Sequence, residues 1–233
     1  MSIEDNGASI VLPKLSDELI DDMDEILKIT PYAKTVLDIF KWAKKKRIVV
    51  FLKSLSSATG EFDEKSRERF NNIISSEEGA ELLSEYVDSV LKTSSITANA
   101  ALAVLYADCD NKMFSKEFKT VACYGLSGIT DELIELFLAL FTLHDLPTSK
   151  EEGPYPIHFL RKDVIDKLRT VGVKAMEDST YIVYIEDLIR RRLLYPDYIQ
   201  GRIAGEGFSI PFGVGSGSME YNKLLRKAKQ HMT

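Results

Sequence analysis

A run of three arginines, Arg190, Arg191 and Arg192, is the first group of residues that could do chemistry. Guanidinium groups form paired hydrogen bonds with phosphate and carboxylate oxygens, so such a run is typical of contacts with nucleic acid or with an acidic partner. It ends an amphipathic pattern that predicts a helix over 180–194. Because cations at a helix C-terminus also complement the helix dipole, a solvated basic last turn is the alternative interpretation.

A second basic run lies near Trp42 and Phe51 and consists of Lys44, Lys45, Lys46 and Arg47. Aromatic and basic residues mixed on one helix are typical of a surface that binds anionic membranes. The alternative is contact with an acidic part of the same chain, since residues 1–30 carry a net charge of −6 and residues 31–56 a net charge of +6. The equal and opposite charges favour this second interpretation.

Three glycines, Gly213, Gly215 and Gly217, separate a short apolar run from a helical pattern. Strand, glycine loop and helix is the order of phosphate-binding motifs, but a dinucleotide fingerprint requires G-x-G-x-x-G, and Ser218 stands where the last glycine belongs. An acid close to the helix start, Glu220, would also repel a phosphate. We therefore interpret the loop as a hinge, with Ser218 as the N-cap of a helix that begins at residue 219.

Sequence motifs for catalysis and metal binding are missing, including HExxH, GxSxG and Walker A. His144 and Asp145 form an isolated pair, and the two other histidines, His158 and His231, are too few to complete a metal site around it. The sequence therefore predicts a non-enzymatic protein without catalytic residues, metal or cofactor, and it identifies no small-molecule substrate. A site assembled by tertiary proximity is the alternative.

The composition is that of an ordinary folded protein. The chain has 233 residues, 45% apolar and 28% charged, enough for one large domain or two small ones. Cys109 and Cys123 form neither a disulfide framework nor a zinc pattern, which indicates a reducing compartment. The first residues are acidic, unlike a signal peptide, and no apolar run approaches the roughly 18 residues of a membrane span. We expect a cytoplasmic protein. Its net charge of −6 argues against nonspecific coating of nucleic acid or anionic lipid, although the basic runs permit local contacts.

Apolar periodicity predicts a mainly α protein with two domains. Residues 1–143 are interpreted as a helical bundle that begins with an acidic helix (Ser16 to Ile29) and a basic helix (Pro31 to Leu55). The stretch from Ile96 to Asp108 is apolar nearly all round and is therefore expected to be the most buried helix. Residues 144–156, rich in proline, are interpreted as a linker. Residues 157–233 are expected to form a small winged-helix-like domain, to which the helix at 131–143 could also belong.

Within this second domain the pattern predicts helices over 159–171 and 180–194, a β-hairpin over 198–214 and a last helix over 219–230. Helices followed by a hairpin are typical of a winged helix-turn-helix, in which the last helix before the hairpin contacts DNA. On this interpretation the arginines of the run and Arg202 on the hairpin are the candidate contacts to nucleic acid or to an acidic partner.

The run YIEDLIRRRLLYPD followed by FSIPFG resembles the end of the abortive-infection alpha proteins, a bacterial family in which a helix ending like LIRLGLL precedes a strand and an S/T-P-F-G turn. The resemblance covers Ile182 to Gly213. Arg192 stands where the family pattern has glycine, and Ile210 stands where it has serine or threonine. The resemblance implies a bacterial or prophage setting and a link to phage defence, with no catalytic residues to carry over.

Three hypotheses about function follow. The first is an interaction or regulatory protein that binds a macromolecule, either a protein partner or a second copy of itself. The second is a sequence-specific DNA-binding regulator that uses the arginine run, Arg202 and the hairpin. The third is a membrane-active effector that uses the basic helix from Lys41 to Leu55.

Overall fold

The computed structural model of the chain describes residues 33–108, 111–143, 153–170, 173, 177–198 and 209–232. The chain divides into two compact units, Met1–Lys45 and Lys46–Thr233. The described residues form nine helices and one two-stranded antiparallel sheet, which confirms the predicted mainly α class. The predicted acidic helix at Ser16 to Ile29 lies outside the described residues.

The helices and strands are numbered in chain order. They are α1 (Ala33–Gly60), α2 (Glu64–Ile74), α3 (Glu77–Lys92), α4 (Ile96–Ala107), α5 (Lys116–Leu126), α6 (Asp131–Leu140), β1 (Ile157–Arg161), α7 (Lys162–Thr170), α8 (Asp178–Arg190), β2 (Ser209–Gly213) and α9 (Ser216–Gln230). The predicted basic helix from Pro31 to Leu55 overlaps α1, which ends five residues later, at Gly60. Hydroxyl side chains begin several helices, and the predicted cap Thr130 accepts the backbone N–H of Leu133 at 3.4 Å.

The core is built around α4, whose residues Thr97 to Ala107 are all buried. Alanine is frequent along this helix, so neighbouring helices can approach closely, and α9 makes its most extensive contacts here. One hydrophobic core runs from Phe51 in α1 to Ala228 in α9. Elements on both sides of the predicted linker at 144–156 therefore share a core, and the division into a bundle and a winged-helix-like domain stays a prediction.

The start of α4 is tied to the start of α6 by Asp131. Its Oδ1 accepts the hydroxyl of Ser95 at 2.5 Å, and its two oxygens also accept the backbone N–H groups of Ile96 and Thr97 at 3.2 and 3.3 Å. These N–H groups lie in the first turn of α4, where no intrahelical acceptor exists. One carboxylate thus satisfies two free helix donors and fixes the position of α6.

The second strand of the predicted β-hairpin pairs with a strand that the sequence analysis did not predict. β2 pairs in antiparallel fashion with β1, in the register Ile157 to Gly213 and Arg161 to Ser209, whereas we expected residues 159–161 to begin a helix. Ile157 and Leu160 are buried in the sheet, and a run of five residues is too short for periodicity to separate a strand from a helix. Tyr195 forms an isolated antiparallel bridge with Gly213, where the base of the expected hairpin would lie, and residues 199–208 lie outside the described residues.

Candidate functional site

Arg191, the middle arginine of the run, is used inside the protein. Its Nε donates to Asp187 Oδ2 at 3.0 Å, and its two terminal nitrogens donate to the carbonyl oxygens of Gly125, Ser127 and Gly128 at 3.2, 2.7 and 3.3 Å. These carbonyls belong to the last turn of α5 and the turn after it, where helix carbonyls lack intrahelical donors. The side chain is only 15% exposed. Arg191 therefore fastens α8 to α5, a role that neither interpretation of the run contained.

Arg190 is the most exposed arginine of the run, with 74% of its side chain accessible. It donates from Nε to Asp187 Oδ1 at 3.1 Å, so Asp187 accepts from two arginines. Burial alone would raise the pKa of Asp187, but the hydrogen bonds and charges of Arg190 and Arg191 outweigh it and lower that pKa. The same carboxylate raises the pKa of Arg190 through hydrogen bonding and charge. The positive charge of Arg190 is thus partly balanced by its neighbour.

Arg192 ends α8 in a left-handed conformation, with φ of 64°. Its N–H donates to Ile189 O, and the N–H of Leu193 donates to Leu188 O, both at 2.9 Å. This is the Schellman pattern of helix termination, which prefers glycine at the left-handed position. The side chain of Arg192 is exposed. An arginine thus occupies the position where the abortive-infection alpha pattern has glycine.

A groove of about 650 Å³ runs beside Arg190 and Arg192. Glu117 and Glu220 also line it, so the two guanidinium groups face an equal number of carboxylates. The floor is largely apolar and includes Phe118, Val121, Ile189 and Leu194. The groove therefore offers no net positive charge to a polyanion such as DNA. Arg202, the fourth candidate contact, lies outside the described residues.

The four residues of the second basic run differ in their exposure to solvent. Lys45 and Lys46 are exposed, and Lys44 is half-buried. Arg47 is also half-buried and donates from Nη1 to the carbonyl oxygen of Leu91, near the end of α3. As with Arg191, an arginine from a basic run binds a free carbonyl at a helix C-terminus.

An exposed face of α8 is the feature that the sequence interpretation missed. We define the α8 face as Ser179, Ile182, Val183, Glu186 and Arg190, all of which are exposed. Val183 is 60% exposed, although it lies in the middle of the helix. The signal was present in the run TYIVYI, which contains more apolar residues than one buried stripe can take.

The glycine loop is filled by tyrosine side chains. A Cβ added to Gly213 would lie 2.3 Å from the ring of Tyr155, and one added to Gly217 would lie 2.7 Å from Tyr195 Oη. The two tyrosine rings pack against each other with centroids 4.8 Å apart. Glycine is therefore required here for the close approach of aromatic rings. This packing explains the glycines without a bound phosphate.

Helix α9 begins three residues earlier than the sequence predicts. Its N-cap is Gly215, and the predicted cap Ser218 lies inside the first turn, where it is buried. The hydroxyl of Ser218 accepts the N–H of Gly215 at 3.3 Å. The prediction of Ser218 as N-cap was therefore wrong. Ser218 instead binds back to the N-cap residue, as the second half of a capping box does.

Within the described residues, the remaining polar groups are held in local contacts. Nδ1 of the buried His231 lies 3.0 Å from Ser57 Oγ, and burial lowers the pKa of His158. Burial also raises the pKa of the Cys123 thiol to about 11, although a hydrogen bond with Tyr86 opposes the rise. In the part of the chain that the structure describes, no three His, Cys, Asp or Glu side chains are grouped to hold a metal ion. His144 lies outside that part.

Comparison with known proteins identifies no relative: no protein-family model matches the chain, and no curated protein or solved structure matches it either. The resemblance to the abortive-infection alpha proteins therefore stays a prediction. Among the described helices, none is both long and apolar enough to cross a membrane.

Proposed function

We propose that this chain is a non-enzymatic interaction protein that binds another protein through the α8 face. The observation that carries the proposal is the exposure of Ile182 and Val183 between the acidic residues Glu177 and Glu186. Apolar side chains on an accessible helix are typical of surfaces that bind proteins. The resemblance to the abortive-infection alpha family supports a bacterial or prophage setting and a part in phage defence, and two cysteines without a disulfide pattern favour a cytoplasmic location.

The charges around α8 favour a protein over DNA as the partner. A recognition helix contacts bases with its N-terminal half, and in α8 this half carries apolar residues after the acidic Glu177. Arg191 is committed to the carbonyls after α5, and Arg190 is paired with Asp187. Among the described arginines of the run, only Arg192 is then left for phosphate, and one contact gives little salt-dependent affinity.

Site-specific photocrosslinking tests this proposal. A photoreactive phenylalanine analogue at Val183 should give crosslinked adducts in the native host, because the α8 face contacts the partner directly. The matched control carries the analogue at Glu68, an exposed residue of α2, and should give none. Mass spectrometry identifies the adduct, and Val183→Asp should abolish its capture. Equal adducts at both positions, or none at either, would reject the α8 face as the binding surface.

Sequence-specific DNA binding is the alternative, favoured by the order α6, β1, α7, α8 and β2 with the bridge from Tyr195 to Gly213. On this hypothesis the protein binds a labelled duplex from its own upstream region, and the affinity falls steeply with salt. Arg192→Glu should then weaken binding, whereas Lys229→Glu, on the exposed side of α9, should not. Affinity that does not change with salt or with Arg192 would exclude this alternative.

Membrane binding is the third hypothesis, favoured by Trp42, which is 63% exposed in a helix rich in lysine. It predicts flotation with vesicles of phosphatidylserine and phosphatidylcholine, but not with phosphatidylcholine alone. Replacement of Lys44, Lys45 and Lys46 by glutamine should abolish flotation. If wild-type protein stays unbound with both kinds of vesicle, the hypothesis is rejected.

A further inference from the structure

We propose that the α8 face binds the α8 face of a second copy, with the two helices antiparallel, so that the chain forms a symmetric dimer. The inference rests on the proposed function, because it identifies the protein bound by this face as another molecule of the same chain. Two features of α8 carry it, an exposed apolar centre and opposite charges at the two ends of the helix.

The centre of the α8 face consists of two adjacent aliphatic residues, Ile182 and Val183, which are both exposed. The opposite side of the same helix is buried in the core through Tyr181, Ile185 and Leu188. The helix therefore has an apolar surface beyond the one that the core uses. When two copies pair at this centre, Ile182 of one molecule packs on Val183 of the other, and both leave water.

This register places the polar residues of the face opposite compatible partners. In an antiparallel pair, facing residues lie at equal distances from the centre between Ile182 and Val183, so Glu186 faces Ser179 of the second copy. The hydroxyl of Ser179 can donate a hydrogen bond to that carboxylate, and the start of a helix is a favourable place for negative charge. By symmetry the contact forms twice, once on each side of the apolar centre.

The two ends of α8 carry opposite charges. Glu177, the residue before the helix, is exposed, and Arg190 in the last turn is largely exposed. In the antiparallel pair Arg190 lies two residues from the position opposite Glu177, about 3 Å along the axis, which two long side chains can span. Arg190 binds Asp187 through Nε and Nη2, so Nη1 is the nitrogen that can donate to Glu177 of the second copy.

A parallel pair of the same faces is disfavoured. It sets each residue against its own copy, so Glu186 faces Glu186 and Arg190 faces Arg190. These like charges repel each other, and the two helix dipoles point the same way. The charges therefore specify the antiparallel arrangement.

Tyr124 extends the surface beyond α8. It lies in the last turn of α5 and precedes Gly125, whose carbonyl oxygen accepts a hydrogen bond from Arg191 at the end of α8. The tyrosine is 71% exposed. In the antiparallel dimer the start of α8 from the second copy, with Glu177, lies close to it. Tyrosine and arginine are among the residue types that most often dominate the binding energy of protein interfaces.

The contact is small and closed. One helix packed on one helix belongs with the transient interfaces, so we expect a dimer that dissociates on dilution. Both copies use the same surface, and therefore assembly stops at two molecules.

Sedimentation velocity over a wide range of protein concentration tests the dimer. Wild-type protein should shift from monomer to dimer as the concentration rises and should form nothing larger. Val183→Asp should weaken dimerisation about tenfold or more, because it places a carboxylate in the apolar centre of both copies. The matched control is Val49→Asp, at an exposed valine of α1, which should dimerise as the wild type does. Unfolding midpoints near that of the wild type show that both variants are folded.

Disulfide crosslinking tests the orientation in a background with Cys109→Ser and Cys123→Ala. Val183→Cys should crosslink to its own copy under mild oxidation, because this residue lies next to the two-fold axis. Arg190→Cys should not, since antiparallel helices hold its two copies about 22 Å apart along the axis. It should instead crosslink to Glu177→Cys when the two variants are mixed.

Three outcomes would overturn the inference. They are a wild type that is monomeric at every concentration, a Val183→Asp variant that dimerises normally, and efficient crosslinking of Arg190→Cys to its own copy, which indicates a parallel pair.

The two proposals fail in different ways. If the wild type is monomeric but a photocrosslinker at Val183 captures a different protein, only the self-association is rejected. If that position captures no protein and no dimer forms, the proposed function is rejected as well.

Discussion

The guanidinium group of Arg191 donates a hydrogen bond to the carbonyl oxygen of Ser127 at 2.7 Å. This bond joins two helix C-termini, since Arg191 follows α8 and Ser127 follows α5. The remaining donors of the same group bind Gly125, Gly128 and Asp187. An arginine that looks like a ligand contact in the sequence is thus a structural residue.

Arg191→Met should destabilise the fold by about 2–4 kcal/mol, because it leaves three carbonyls without their donor and removes one of the two arginines that bind Asp187. Urea unfolding of the purified protein measures this loss. The control is Arg190→Met, which should leave the unfolding midpoint close to that of the wild type because Arg190 is largely exposed. Equal stability of the two variants would contradict the assignment of Arg191 as the link between α8 and α5.

Arg192→Gly should stabilise the protein by about 0.5–1 kcal/mol. Glycine adopts the left-handed conformation of this position without the steric cost that Arg192 bears, although it gains freedom in the unfolded chain. Thermal unfolding measures the change. Arg192→Ala serves as the control, because it removes the charge but keeps the strained backbone, and it should not stabilise. A gain of the same size in both variants would assign the effect to charge.

Gly125→Ala should destabilise the protein by about 1–3 kcal/mol, even though alanine is the better residue in a helix. The new Cβ would lie 2.4 Å from Tyr221 Oη and 2.6 Å from the carbonyl oxygen of Arg191. The matched control is Gly60→Ala at the end of α1, where nothing lies within 4 Å of the new atom. Chemical denaturation of both variants compares them. Stabilisation by Gly125→Ala would show that α5 and α8 are further apart than described.

The thiol of Cys123 should make stability fall at alkaline pH. Burial raises its pKa to about 11 in the folded protein, whereas in the unfolded chain it ionises near 9. The unfolded state therefore loses its proton first as the pH rises, and roughly 2 kcal/mol of stability is lost between these two values. Cys123→Ala should remove this part of the pH dependence. Urea unfolding of the wild type and the variant at pH 8 to 11 measures the difference in their free energies of unfolding.

The same burial predicts slow alkylation of Cys123 at neutral pH, because the thiolate is the reactive form. Iodoacetamide should modify it far more slowly in the folded protein with Cys109→Ser than in the same protein in urea. Equal rates in the two conditions would show that the thiol is accessible and ionised.

Local features of the fold could be predicted from the sequence. The cap at Thr130 and the burial of helix α4 from Thr97 to Ala107 follow from side-chain type and periodicity alone, which depend on near neighbours. The mainly α class follows from the same signals. Strand β1 could not be predicted, because its identity depends on pairing with β2, which is far along the chain.

The roles of the arginines could not be predicted for a similar reason. The carbonyls that bind Arg191 lie more than 60 residues away in sequence, and nothing in the run of three arginines distinguishes its middle member. The exposed α8 face could have been predicted, since the surplus of apolar residues in this helix is visible in the sequence. The basic residues lie at the end of the helix, whereas the accessible apolar residues lie in its middle.

The packing of α9 over α4 has a consequence for how the protein is made. Helix α4 is nearly all apolar, and its largest covering element is the last of the described helices to be synthesised. Until α9 has left the ribosome, the part of the alanine-rich α4 surface that α9 covers is open to chaperones and to other nascent chains. Completion of the core is therefore a late event, and shortening α9 should send the newly made chain to aggregation or proteolysis.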